Sequence, residues 1–163
     1  FAIRNCDAFF VRPSRVSLDE TAQRIAAVKK VAWDLGREIG VYTVGVITCR
    51  PTQSEAEAYF RHWAIDHADW SAVDRIMAMR GVTPEAFPDD FAERRLHQAT
   101  GMGGVPITGD PDTVARELAQ LAEAGAAGIA LSFVNYLDEL PLFRTEVLPR
   151  LARLGLREAP AAE

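Results

Sequence analysis

Val41-Tyr42-Thr43-Val44-Gly45-Val46-Ile47-Thr48-Cys49, followed at once by Arg50-Pro51-Thr52-Gln53-Ser54-Glu55, is the stretch on which the fold turns. Its first nine residues hold Val41, Val44, Val46 and Ile47 without strict alternation. Near-continuous apolarity suits a strand covered on both faces, as in a parallel sheet. Thr52 stands three residues before Glu55, the spacing of a capping box, so a helix opens directly after the strand. A buried strand that passes straight into a helix is half of a βαβ unit.

Two further segments read the same way. Cys6 to Val11 contains Ala8-Phe9-Phe10-Val11, and Gly128 to Phe133 runs Gly-Ile-Ala-Leu-Ser-Phe. The first strand is followed by a capping box at Ser17 and Glu20, then by Leu18, Ala22, Ile25, Val28, Ala32 and Leu35 on one helical face. Asp110-Pro111 is an N-cap with proline at the first helical position, and Val114, Leu118 and Leu121 stripe that helix. A last helix carries Leu140, Phe143, Val147, Leu151 and Leu154. The spacing predicts three parallel strands with flanking helices, an α/β fold, interrupted by a long insertion at roughly 66–108 that shows no clean strand.

The chain has 163 residues, 23 acidic and 18 basic, for a formal charge of −5. Net acidity without a basic stripe argues against nucleic acid as a partner. No run approaches the ~20 apolar residues of a membrane span. Two cysteines, Cys6 and Cys49, are too few for a disulfide framework or a zinc cage. The expected setting is the cytoplasm. Residue 1 is Phe, and three parallel strands leave both sheet edges open, so the chain is expected to be part of a larger α/β domain.

Candidate site residues follow from strand ends, where parallel α/β folds gather their ligands. Cys49 and Arg50 end one strand; Arg50 reads equally as an anion ligand or as a structural residue that caps a neighbouring helix or pairs with an acid, and Cys49 as a buried thiol. Phe133, Asn135 and Tyr136 end another, either lining a pocket or, for Asn135, capping a helix. Gly101, Gly103 and Gly104 read as a hinge or lid turn, since the Walker ending is absent and Asp110 and Asp112 occupy the next helix N-terminus. His62 and Asp66 have metal-pair spacing but no third ligand at a telling distance, so no metal is expected. Asp138 and Glu139 are assigned to the dipole of the final helix.

Gly103-Gly104-Val105-Pro106-Ile107-Thr108-Gly109-Asp110-Pro111-Asp112-Thr113-Val114-Ala115 resembles the Gly-Gly-x-Pro-Leu-x-Gly stretch, continued by Thr or Asp and Pro, of bacterial luciferase-like flavin-dependent monooxygenases. This family includes alkanesulfonate, dimethyl sulfone and pyrimidine monooxygenases. Gly128 to Phe133, Leu140 to Phe143 and Glu146 to Leu151 are similar to its last strand and helix, and Cys6 to Val11 to an earlier strand. The resemblance covers residues 1–156, leaving 157–163 as an expected frayed tail.

By this resemblance the chain is the C-terminal part of a (β/α)8 TIM barrel, with 66–108 as the insertion near the active-site mouth. The implied cofactor is reduced FMN from a separate flavin reductase, which reacts with oxygen to oxidise a small organic, and on the family pattern an organosulfur, substrate. The implied partners are a missing N-terminal half or complementary chain and further copies of the protein. The family's flavin-phosphate motif, Ser-x-x-Gly-Arg, belongs just before Phe1 and is absent from these residues. No motif separates the monooxygenase branch from deazaflavin-dependent reductases of the same superfamily. The alternative function is a non-catalytic barrel fragment or assembly module, using the aromatic helix from Tyr59 to Trp70.

Overall fold

The computed structural model describes residues 1–13, 17–100 and 104–158. In chain order it forms α1 (Ala2–Asn5), β1 (Ala8–Phe10), α2 (Leu18–Asp34), β2 (Gly40–Cys49), α3 (Gln53–Arg61), α4 (Trp70–Met79), α5 (Phe91–Ala99), β3 (Val105–Gly109), α6 (Pro111–Glu123), β4 (Gly128–Phe133), α7 (Tyr136–Leu142) and α8 (Leu148–Arg153). Single π-helical turns extend α3 through His62–Asp66 and join α7 to α8 through Phe143–Val147. The helix starts are chemically fixed. Ser17 Oγ accepts the Glu20 N–H at 3.0 Å, and Asp110 Oδ1 accepts the Thr113 N–H at 2.8 Å. Thr52 and Glu55 close both arms of their capping box.

All strand pairs are parallel, and β2 is their common member. Gly45, Val46 and Ile47 pair with β3 and with β4, so these two strands lie on opposite edges of β2. Tyr42 pairs with Phe10 of β1 and Gly128 of β4. Hence β1 and β3 succeed one another along one edge while β4 runs along the other.

The sheet has two differently covered faces, because successive strand residues point to opposite sides. Ile47, Ile107 and Phe133 pack with Val114, Leu118 and Leu121 of α6 and with Phe143 and Val147, forming the larger core. Val11, Ile25, Ala32, Ile39 and Val41 form a smaller one beneath α2. Thr48 faces the opposite way, and there Trp63 of the α3 extension donates its indole N–H to Thr48 Oγ1 at 3.3 Å. The connections β2→β3 and β3→β4 step across the sheet in opposite directions, so right-handed crossovers place their helices on opposite faces. The insertion covers only the carboxyl half of this second face. Lower down, Phe10 and Tyr42 are 56% and 40% exposed.

The α/β reading with a parallel sheet and flanking helices holds, but among the described residues the strand count is corrected from three to four. β3 lies at the end of the stretch read as strandless insertion. Pro106 disguises it: a proline cannot donate to a ladder and is tolerated here because β3 is an edge strand. Among its described residues the rest of the insertion holds two helices joined by turns. Its α4 and α5 are tied by Arg95, which donates to both Asp74 oxygens at 2.5 and 2.9 Å, and by Arg80, which donates to buried Gln98 at 3.0 Å. The expected stripe of the last helix also breaks. Phe143 and Val147 are buried while Leu140 and Leu154 are 42% and 56% exposed, Leu154 standing past the end of α8. No helix among the described residues is long and apolar enough to cross a membrane.

Candidate functional site

The carboxyl ends of β2, β3 and β4 meet where the crossovers diverge to the two faces, the place where open α/β sheets leave a crevice. The crevice between β2 and β3 is bridged by short polar links. The Arg50 N–H donates to Gly109 O at 3.2 Å, and Gln53 Oε1 accepts the Asp110 N–H at 3.4 Å. There is no room for a side chain at Gly109, whose Cβ would stand 2.7 Å from Gln53 Oε1 and 2.6 Å from Thr113 Cγ2.

Arg50 dominates the rim. Its Nη1 donates to Cys49 O at 2.7 Å and its Nη2 to Glu139 Oε1 at 3.1 Å. Its guanidinium carbon lies 3.7 Å from the centroid of the Tyr59 ring. Of the readings open to Arg50, the structure displays the pairing with an acid. Glu139 is 2% exposed, and among the described residues its Oε2 has no hydrogen-bond partner within bonding geometry. The Tyr59 phenol sits within reach of both charges. Burial, and then the Glu139 carboxylate, push its pKa up, with Arg50 opposing. Cys49 is buried, and burial raises its thiol to about 11 despite the adjacent Arg50. At neutral pH it is a protonated thiol, not a nucleophile.

The remaining candidates separate. Phe133 and Tyr136 meet edge-to-face at 5.4 Å, and Phe133 meets Phe143 at 5.3 Å. Both Phe133 and Tyr136 line an open apolar concavity of about 800 Å³ with Leu131, Leu140 and Arg144. Asn135 is not in it: its side-chain oxygen caps α7 by accepting the Leu137 N–H at 3.1 Å, and its amide donates to Asp138 at 2.5 Å. Gly104 precedes β3, where a Cβ would stand 3.0 Å from Val46 Cγ2, while Gly101 and Gly103 lie outside the described residues. The His62 ring packs against His67 with centroids 4.2 Å apart. Among the described residues no group of three or more His, Cys, Asp or Glu side chains is gathered as for a metal.

Glu139 is the residue that sequence reasoning missed. Asp138 does serve the helix start, but its neighbour turns inward to Arg50. The available signal was Arg50 itself, since an arginine ending a buried strand needs an acid within reach.

No protein-family model and no curated protein matches the chain. Solved structures do. DmoA from Hyphomicrobium sulfonivorans matches with a TM-score of 0.81 at 18% identity, over 100% of this chain and 40% of its own. A riboflavin lyase, solved with modified FMN and riboflavin, matches at 0.72 and 19%, over 99% and 42%. A long-chain alkane monooxygenase matches at 0.70 and 18%, over 99% and 40%. The chain therefore shares their fold and spans about two fifths of their length.

Proposed function

We propose that this chain is the C-terminal part, residues 1–156, of a (β/α)8 barrel of the luciferase-like flavin-dependent monooxygenases. Completed by an N-terminal half, it oxidises a small organic substrate. The observation that supports this reading is the match of the whole chain, insertion included, to two fifths of larger proteins, among them a long-chain alkane monooxygenase and a riboflavin lyase solved with modified FMN. The open lower sheet face at Phe10 and Tyr42 and the uncovered Leu137 and Leu140 beside β4 are where the remaining barrel wall belongs. The same exposed groups favour assembly with further copies. Work in the cytoplasm with a flavin reductase completes the reading.

Reduced FMN, when bound in the complete barrel, supplies the activation of oxygen. The described residues do not fit its phosphate by themselves. The N-terminus of α6 is capped by its own Asp110, and Arg50 is spent on Glu139 and Cys49 O. What this part contributes is shape: a closed switch-point crevice, the Phe133–Tyr136 wall and a helical cover over one face.

A flavin-fluorescence titration tests the reading. The 163-residue chain alone leaves FMN fluorescence unchanged, whereas the chain mixed with a matching N-terminal barrel half quenches it with micromolar affinity. Quenching by a deazaflavin and not FMN would move the protein to the reductase branch. No response to either from the mixture would leave the second reading, a non-catalytic barrel module, which the protonated Cys49 and the neutralised Arg50 favour.

A further inference from the structure

We propose that Glu139 is a positioning residue of this site, clamping the start of α7 to α3 through Arg50 and Tyr59 and so fixing the rim of the mouth from both sides of the sheet. The proposal rests on reading the carboxyl ends of the strands as the site, and its geometry is independent of any flavin. α3 and its extension lie against the Thr48 face, held by the Trp63 indole. The last helical segment lies against the opposite face, held by Phe143 and Val147 in the larger core. Arg50 stands at the end of the strand between them. One side of its guanidinium is covered by the Tyr59 ring at 3.7 Å, and Nη2 reaches Glu139 at 3.1 Å.

The depth of Glu139 is what makes this a clamp and not a surface pair. Its side chain is 1% exposed against 22% for Arg50, and a carboxylate so buried tolerates no loss of its partner. Its Oε2, without a partner of bonding geometry among the described residues, needs a donor from inside the cluster, and the Tyr59 phenol, which the carboxylate already acts on, is the donor at hand. Glu139 also lies three residues from Tyr136, on the same short helix that Asn135 caps, so holding Glu139 holds the ring beside Phe133. Removal of any one member loosens segments on opposite faces of the sheet at this rim.

Hydrogen exchange of the full chain, followed by peptide across α3, α7 and α2, tests this together with the ultraviolet titration of Tyr59 in a Tyr42→Phe, Tyr136→Phe background. In Glu139→Gln, α3 and α7 exchange at least tenfold faster while α2 keeps its rate, and the Tyr59 phenol titrates at lower pH. In Tyr59→Leu, a milder change, α7 accelerates although the substitution lies on α3. The clamp is overturned if α7 ignores Tyr59→Leu, if α2 accelerates equally in Glu139→Gln, or if the Tyr59 titration does not move. Because no flavin enters the experiment, a failed FMN titration has no bearing on its outcome.

Discussion

Arg50 and Glu139 join the carboxyl ends of β2 and β4 at 3.1 Å, and the acid is much the deeper of the two. This asymmetry predicts unequal costs. Arg50→Met strands a buried charge and destabilises the chain by about 3–5 kcal/mol. Adding Glu139→Gln to it removes that charge and recovers most of the loss, so the double variant is more stable than Arg50→Met alone. Urea midpoints of the wild type, both single variants and the double measure the coupling. A double variant no better than Arg50→Met would refute the account.

The two thiols separate in reactivity. Cys6 is exposed and Cys49 is buried with its pKa raised to about 11. At pH 8 only about one Cys49 in a thousand is thiolate, so iodoacetamide labels Cys6 and spares Cys49 until the protein unfolds. The sign of the linkage follows. A raised folded pKa means that the native state favours the protonated thiol, so this stabilisation is full below pH 9, the unfolded value, and is lost as pH climbs toward 11. Tyr59, raised in the same direction, adds to the alkaline loss. Mass spectrometry of labelled peptides and melting temperatures from pH 8 to 11 check both statements.

Two glycines distinguish a rigid crevice from a soft one. A Cβ at Gly109 meets Gln53 Oε1 and Thr113 at 2.6–2.7 Å, where the capping of α6 fixes its neighbours. Gly109→Ala therefore costs about 1–3 kcal/mol. At Gly128 the clash is nominally closer, 2.5 Å to the Tyr42 ring, but Tyr42 is 40% exposed and swings aside. Gly128→Ala costs less than Gly109→Ala, a ranking that parallel denaturation curves read directly.

Legibility in the sequence followed how local each cause was. The helix starts at Ser17, Thr52 and Asp110 were readable because a cap is a contact between residues three apart. β2 was readable because burial on both faces leaves an apolar run. β3 was not: five residues, one a proline, gain strand structure only by pairing with Gly45 to Cys49, some sixty positions earlier. The site divided the same way. Asn135 as a helix cap is a local fact, open to sequence reasoning. The Arg50–Glu139 pair spans 89 residues and needed the topology that sets β4 beside β2. Phe133 and Tyr136 are brought together by adjacency, but the concavity they line also takes Leu140 and Arg144 from the helical segment that packs beside β4.

The exposed apolar flank of α7 carries the last prediction. Leu137 is 87% exposed and Leu140 42%, and both flank the concavity that Phe133 and Tyr136 enter. Neither belongs to a buried core cluster, so changing them leaves the chain's own stability within about 0.5 kcal/mol. If this flank receives the rest of the barrel, the same changes remove apolar area from the joint. Leu137→Asp with Leu140→Asp then weakens association with an N-terminal half at least tenfold, while the urea midpoint of the isolated chain stays put. Sedimentation velocity on the mixture, beside the denaturation curve, decides it. Unchanged association would place the joint elsewhere, on the open sheet face of Phe10 and Tyr42, and a lowered midpoint would show that the flank already supports the fold by itself.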